Sequence, residues 1–181
     1  MSEETLVAGS GFDDLVARMA ERIVAGSPTD VALRFVGIRT RGWPLAARLA
    51  AWARDSAGAT VEVGALDITL YRDDVNLAVR RPVLRGTEIP FSLDDAELVL
   101  VDDVLATGRT VRAALGAISD LGRPARVRLA VLVDRGSREL PVQADVVGIE
   151  IPCRREDRIR VGIRPIDELD EIRLIRSASS T

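Results

Sequence analysis

Leu98-Val99-Leu100-Val101-Asp102-Asp103-Val104-Leu105-Ala106-Thr107-Gly108-Arg109-Thr110 decides how the rest of the chain is read. Its first four residues are wholly apolar, which predicts a short strand covered on both faces. Two carboxylates follow at the carboxyl end of that strand. Ala106 to Thr110 then runs into a helix predicted from about Thr110 to Leu121 and closed by Gly122. In an open α/β sheet, ligands lie beyond the carboxyl ends of the strands. A helix start there offers backbone N–H groups and the positive end of the dipole to a phosphate. Thr107 and Thr110 add hydroxyls, and Gly108 lets the backbone close around an anion. A phosphate alone would be repelled by Asp102 and Asp103. The acids make sense gripping the hydroxyls of a sugar beside the phosphate, directly or through Mg²⁺. Phosphate on one side and a diol on the other describe a ribose 5-phosphate. The competing reading is ordinary punctuation, with a strand, a Gly turn and a Thr helix cap.

Outward from this stretch, strands and helices alternate. Leu15, Val16, Met19, Ala20, Ile23 and Val24 form a helical stripe, stopped by Gly26-Ser27-Pro28. Val31 to Ile38 reads as a buried strand, followed by the loop Arg39-Thr40-Arg41-Gly42. A helix then opens near Pro44 and ends at Gly58. Val61 to Ile68 and Val127 to Val133 read as further strands. Shorter strand-like pieces cover Val146 to Ile151, Ile159 to Ile163 and Ile172 to Ile175. The pattern predicts an α/β fold on a parallel sheet, as one domain over residues 1–181. Residues 71–92 read as a long polar, Arg-rich loop, of the kind that carries function.

Composition narrows the chemistry. Apolar residues make up 47% of the 181 but aromatics only 3%, so the core must be aliphatic. There is no His and no Lys, and all 25 basic residues are Arg. Histidine bases, His-ligated zinc, Walker lysines and Schiff bases are therefore excluded. A single Cys153 excludes an internal disulfide. What remains is carboxylates, Arg, backbone amides and an oxygen-loving metal. No apolar run approaches the ~20 residues of a membrane span. With the acidic, non-signal-like start, this leads us to expect a cytoplasmic protein with no membrane partner.

Taken with three other segments, the 101–110 string resembles the phosphoribosyl pyrophosphate (PRPP) motif of type I phosphoribosyltransferases, and within them the PyrR family. Those segments are Gly37 to Gly42, Leu66-Asp67-Ile68-Thr69-Leu70-Tyr71-Arg72-Asp73-Asp74, and Asp134-Arg135-Gly136-Ser137-Arg138-Glu139-Leu140-Pro141. The likeness runs from about Asp14 to Ile175. It implies a type I phosphoribosyltransferase fold: a parallel twisted sheet flanked by helices, with a flexible loop (71–92) and a small C-terminal hood (mainly 145–176). It implies a uracil phosphoribosyltransferase that turns uracil and PRPP into UMP and diphosphate, with Mg²⁺ carried by PRPP rather than held in a site of its own. PRPP would be held by Thr40, Arg41, Arg81, Asp102, Asp103, Val104, Leu105, Ala106, Thr107, Gly108, Arg109 and Thr110. Of these, Asp102, Asp103 and Arg41 are the catalytic candidates. Arg135 and Ile159 would lie at the nucleobase or nucleotide.

The resemblance also implies regulation of the pyrimidine (pyr) operon through its mRNA leader, promoted by UMP or UTP, in a homodimer or larger homo-oligomer. Arg18, Arg22 and Arg138 are the candidates for the RNA-binding face. Relatives typically carry His and Lys where Ser137 and Ile149 stand, and Thr and His where Ala17 and Glu21 stand. These changes remove donors or add negative charge, and so weaken phosphate contact. Three readings stay open on the sequence: both activities, the enzyme alone with RNA binding lost, or a nucleotide-sensing regulator with negligible catalysis.

Overall fold

A computed structural model describes residues 2–28, 31–71 and 86–177. A five-stranded parallel sheet forms the centre. Its strands are β2 (Leu33–Ile38), β3 (Val61–Leu66), β4 (Glu97–Leu105), β5 (Arg126–Asp134) and β6 (Val146–Glu150), in the order β3-β2-β4-β5-β6. Helices α1 (Ser10–Ala25) and α2 (Gly42–Ala57) cover one face, and α3 (Arg109–Leu121) covers the other. The alternation along each strand builds both cores: Val99 and Val101 of β4 pack with α1 and α2, whereas Leu98 and Leu100 pack with α3. The predicted helical stripe is buried at Leu15, Val16, Met19, Ala20 and Ile23.

A second sheet is antiparallel, in the order β1-β8-β7, from β1 (Ser2–Ala8), β7 (Arg158–Gly162) and β8 (Glu171–Arg176). It forms the hood, and its third strand comes from the amino terminus. The sequence reading did not place β1. Ser2 to Thr5 are exposed there, and only Leu6 and Val7 reach the core. Such an edge strand lacks the clean apolar alternation that marks a half-buried one.

Two boundaries differ from expectation in ways that matter for the site. β3 ends at Leu66 because Asp67 Oδ1 accepts from the Thr69 amide (2.9 Å) and hydroxyl (2.6 Å), which turns the chain out of the sheet. β4 continues to Leu105, so Asp102 and Asp103 lie within the strand, with Asp102 opposite Val131 and Val104 opposite Val133 of β5. The acids are thus held by the sheet and not by a loop.

Two glycines bring the β2–α2 turn against that strand. A Cβ on Gly42 would sit 2.4 Å from the Val101 carbonyl oxygen. A Cβ on Gly37 would sit 2.4 Å from the Gly42 carbonyl oxygen and 2.5 Å from the Trp43 Cα. All of these obstacles are backbone, which cannot swing aside. Gly37→Ala is therefore expected to lower unfolding stability by roughly 3 kcal/mol in urea titration. A loss below ~0.5 kcal/mol, the scale of an ordinary surface change, would show that the close approach is not required.

Candidate active site

The carboxyl ends of β2, β4 and β5 lie at one edge of the sheet, and Thr40, Arg41, residues 102–110 and Arg135 follow there. Asp102 is only 6% exposed, although it is charged in water. Its Oδ1 accepts from the Asp103 amide at 2.9 Å. Burial, and next the Asp103 charge, push the Asp102 carboxyl well above the usual carboxylate range. Burial also raises Asp103, though the hydrogen bond with Asp102 and the charge of Arg41 oppose it. Two adjacent carboxylates that resist ionising together are poised for something positive or hydrogen-bond-donating.

Immediately beyond, Gly108 caps α3 in the left-handed conformation (φ 89°). A glycine is needed for that φ, and an added Cβ would also meet Val142 at 3.3 Å. The Arg109 amide donates to Thr107 Oγ1 at 3.3 Å. The first N–H groups of any helix lack intrahelical partners, which leaves this turn suited to an anion.

The segment after β5 holds the turn from behind. The Thr107 carbonyl accepts from the amides of Glu139 and Leu140, both at 3.0 Å. Arg138 donates to the carbonyls of Ala106 (2.9 Å), Gly136 (3.2 Å) and Val142 (2.9 Å), and pairs with Asp134. Its donors point inward, so Arg138 braces the loop. Arg109 pairs with Glu139 at 2.9 Å, and Arg155 pairs with the same carboxylate at 3.1 Å. Arg135 donates to the Arg154 carbonyl at 2.8 Å and lines a cavity of about 450 Å³ beside Ala106, Thr107, Ser137 and Glu139. Its Nε is buried and has no hydrogen-bond partner among the described residues. Ile159 lies on β7, partly buried against the core under α1 and α2.

The β2–α2 turn supplies the opposite wall. The Arg39–Thr40 peptide bond is cis. Thr40 is exposed, and Arg41 forks onto Asp167 with Nε–Oδ2 at 2.8 Å and Nη2–Oδ1 at 2.7 Å. The hydrogen bond from Arg41 holds the Asp167 carboxyl below its ordinary range. Arg39 donates to the Gly86 carbonyl and lies 3.4 Å from Glu88. Arg81 lies outside the described residues. Arg18 is exposed on α1, and Arg22 donates to the Val147 carbonyl at 2.8 Å. Sequence reasoning missed Asp167, which sits in the acidic run Asp167-Glu168-Leu169-Asp170 and reads as solvated surface.

The sheet and this edge define a phosphoribosyl transferase domain, and the family model of that description matches residues 2–162. The chain belongs to the PyrR family. It is 48% identical to the "Bifunctional protein PyrR" of Chloroflexus aurantiacus over 181 residues, covering 99% of this chain and 98% of the relative. It is 50% identical to that of Pelotomaculum thermopropionicum over 93% of each chain, and 52% identical to that of Thermus aquaticus over 87% of each. The fold is shared with hypoxanthine phosphoribosyltransferase of Trypanosoma cruzi, with a TM-score of 0.71 at 19% identity over 97% of both chains. A hypoxanthine-guanine phosphoribosyltransferase of Bacillus anthracis matches with a TM-score of 0.64 at 17% identity, over 82% of this chain and 84% of that one.

The raised carboxyls carry a stability consequence. A folded-state pKa above the unfolded one means that the fold prefers the protonated pair. Stability is then full below the unfolded value, near 3.8, and falls as pH rises through the folded value. Asp102→Asn keeps the Oδ1 acceptor for the Asp103 amide and removes the buried charge. The free protein carrying it is expected to melt about 3 °C higher at pH 7. That gap should close as the pH approaches 4. A gap that is absent at pH 7, or that widens on acidification, would contradict a strained carboxylate pair.

Proposed function

We propose that this protein converts uracil and PRPP to UMP and diphosphate, and that it regulates the pyr operon by uridine-nucleotide-dependent binding to its mRNA leader. The observation that carries the enzymatic half is the buried Asp102 and half-buried Asp103 running directly into the Gly108-capped start of α3. The relatives' name, "Bifunctional protein PyrR", supports two jobs over either one alone.

In the catalytic reading, the 106–110 turn holds the 5-phosphate through backbone amides and the Thr107 and Thr110 hydroxyls. Asp102 and Asp103 take the ribose hydroxyls. Arg41, with Thr40 and Arg81, neutralises the departing pyrophosphate. Positive charge develops at the anomeric carbon as the bond to pyrophosphate breaks, so positioning and neutralisation matter more than a strong base. That suits a chain without His. Arg135 beside the cavity, and Ile159 through its backbone, serve the nucleobase end.

Among the described residues no group of three or more acidic, Cys or His side chains converges on a metal position. Asp102 and Asp103, side by side near the carboxyl end of β4, instead have the hard oxygen donors that would suit Mg²⁺ arriving with PRPP. Bound there, Mg²⁺ would offset the charge of the pyrophosphate.

The regulatory half rests on Arg18 and Arg22. Arg138 contributes to it by shaping the 134–142 segment. We further take the chain as one domain with a hood formed mainly by 145–176; most of the loop expected at 71–92 lies outside the described residues. We take it as cytoplasmic and as a homodimer or larger homo-oligomer. Among the described residues no helix is long and apolar enough to cross a membrane.

Changing Asp102 and Asp103 together to Asn is expected to abolish PRPP-dependent formation of UMP from uracil; unchanged turnover removes them from the sugar site. A gel shift with the pyr leader RNA is expected to strengthen on adding UMP and to weaken in Arg18→Ala. A leader that binds no better with UMP eliminates the regulatory half.

A further inference from the structure

We propose that Asp167, in the hood turn between β7 and β8, is a positioning residue that aims Arg41 at the pyrophosphate and holds it off the sugar carboxylates. The inference rests on the PRPP reading of this edge.

Arg41 lies between two acidic neighbours. On the hood side, Asp167 takes its Nε and Nη2 in a two-point fork at 2.8 and 2.7 Å. On the sheet side is the charge of Asp103. A fork fixes the plane of a guanidinium as well as its position. It uses two of the five N–H donors and leaves the Nη1 edge for a second anion.

Asp167 is itself held by backbone. Its Oδ2 accepts from the Ile163 amide at 2.9 Å, and its own amide donates to the Ile163 carbonyl at 2.9 Å. The turn is pinned again by Asp170, which accepts from Arg48 of α2 (2.8 Å) and from Arg164 Nε (2.9 Å) and amide (2.8 Å). Arg48 in turn lies over the Phe12 ring, 5.8 Å from its centroid. The strut therefore runs from a rigid turn, not from a loose loop.

Without the Asp167 charge, the flexible Arg41 side chain is left to the pull of Asp103. Falling onto Asp103, it would occupy the place of the ribose hydroxyls and face away from the pyrophosphate. The loss should therefore appear in PRPP affinity first.

The test is a double-mutant cycle on the full chain: wild type, Asp167→Asn, Arg41→Gln and the pair, with PRPP varied at saturating uracil. Asp167→Asn is expected to raise KM for PRPP about tenfold while KM for uracil stays within about twofold. In the Arg41→Gln background the same change should add nothing, because Asp167 then has no guanidinium to aim. Melting curves accompany each variant. If Asn, whose amide oxygen can still accept from the Ile163 amide, brings melting into the assay range, the cycle is run at a temperature below that transition. A KM for PRPP within twofold of wild type, or penalties that multiply in the pair, overturns the inference while wild-type turnover leaves the PRPP reading standing. A wild type that neither turns over nor binds PRPP by calorimetry overturns both.

Discussion

Two carboxylates side by side at the end of β4, Asp102 buried and Asp103 half-buried, are the constraint around which this molecule is arranged. Placing charge in a covered strand is costly unless partners offset it. Here the offsets are partial: the Asp103 amide on Asp102, backbone amides of Asp103 and Val104 on Asp103, and the nearby charge of Arg41. Both carboxyls stay raised, so the free protein is strained toward protonation at the point where it is to meet a ligand. Sites that hold such groups in a rigid frame trade stability for readiness. The frame is rigid because Asp102 and Asp103 continue a strand that pairs with β2 as far as Val101 and with β5 through Leu105.

The neighbouring elements follow from that placement. Gly37 and Gly42 allow α2 to start almost against the β4 backbone, which delivers the 39–41 turn to the acids. Gly108 turns the chain directly from β4 into α3, so that the amides opening that helix and the two carboxylates lie within a few residues of each other. The 134–142 segment then buttresses the turn through Arg138 and the Thr107 carbonyl. The two glycine approaches are made through backbone, where nothing can rotate away.

Much of this was legible in the sequence because it is local. Strand, acids, glycine and helix stand consecutively at 98–121, and the apolar periods of α1, β2 and β5 are undiluted. Less legible was what depends on distant pairing. β1 is specified by its partner β8 at the other end of the chain, and its own residues are mostly exposed. Asp167 is 126 residues from Arg41, in a run that by composition is solvated surface. The reach of β4 through Asp102 and Asp103 was also hidden. Polar residues in a strand break the apolar run from which strands are read, and only the register with β5 shows that pairing continues.

A chain whose only basic side chain is Arg must use one chemistry for two purposes, and this limits what a basic residue in its sequence implies. Arg138 has its donors spread over three carbonyls and Asp134, Arg164 is tied to Asp170, and Arg154 forks onto the buried Asp157. These guanidiniums are struts: a planar fork serves a turn of backbone as well as it serves a phosphate. The residues that can meet an anion are distinguished by where their remaining N–H groups point, which follows from the partner on the other edge. Arg41 belongs to both groups. Its Nε edge is a strut to the hood and its Nη1 edge is uncommitted by that fork, and its permanent charge keeps the second role available at every physiological pH.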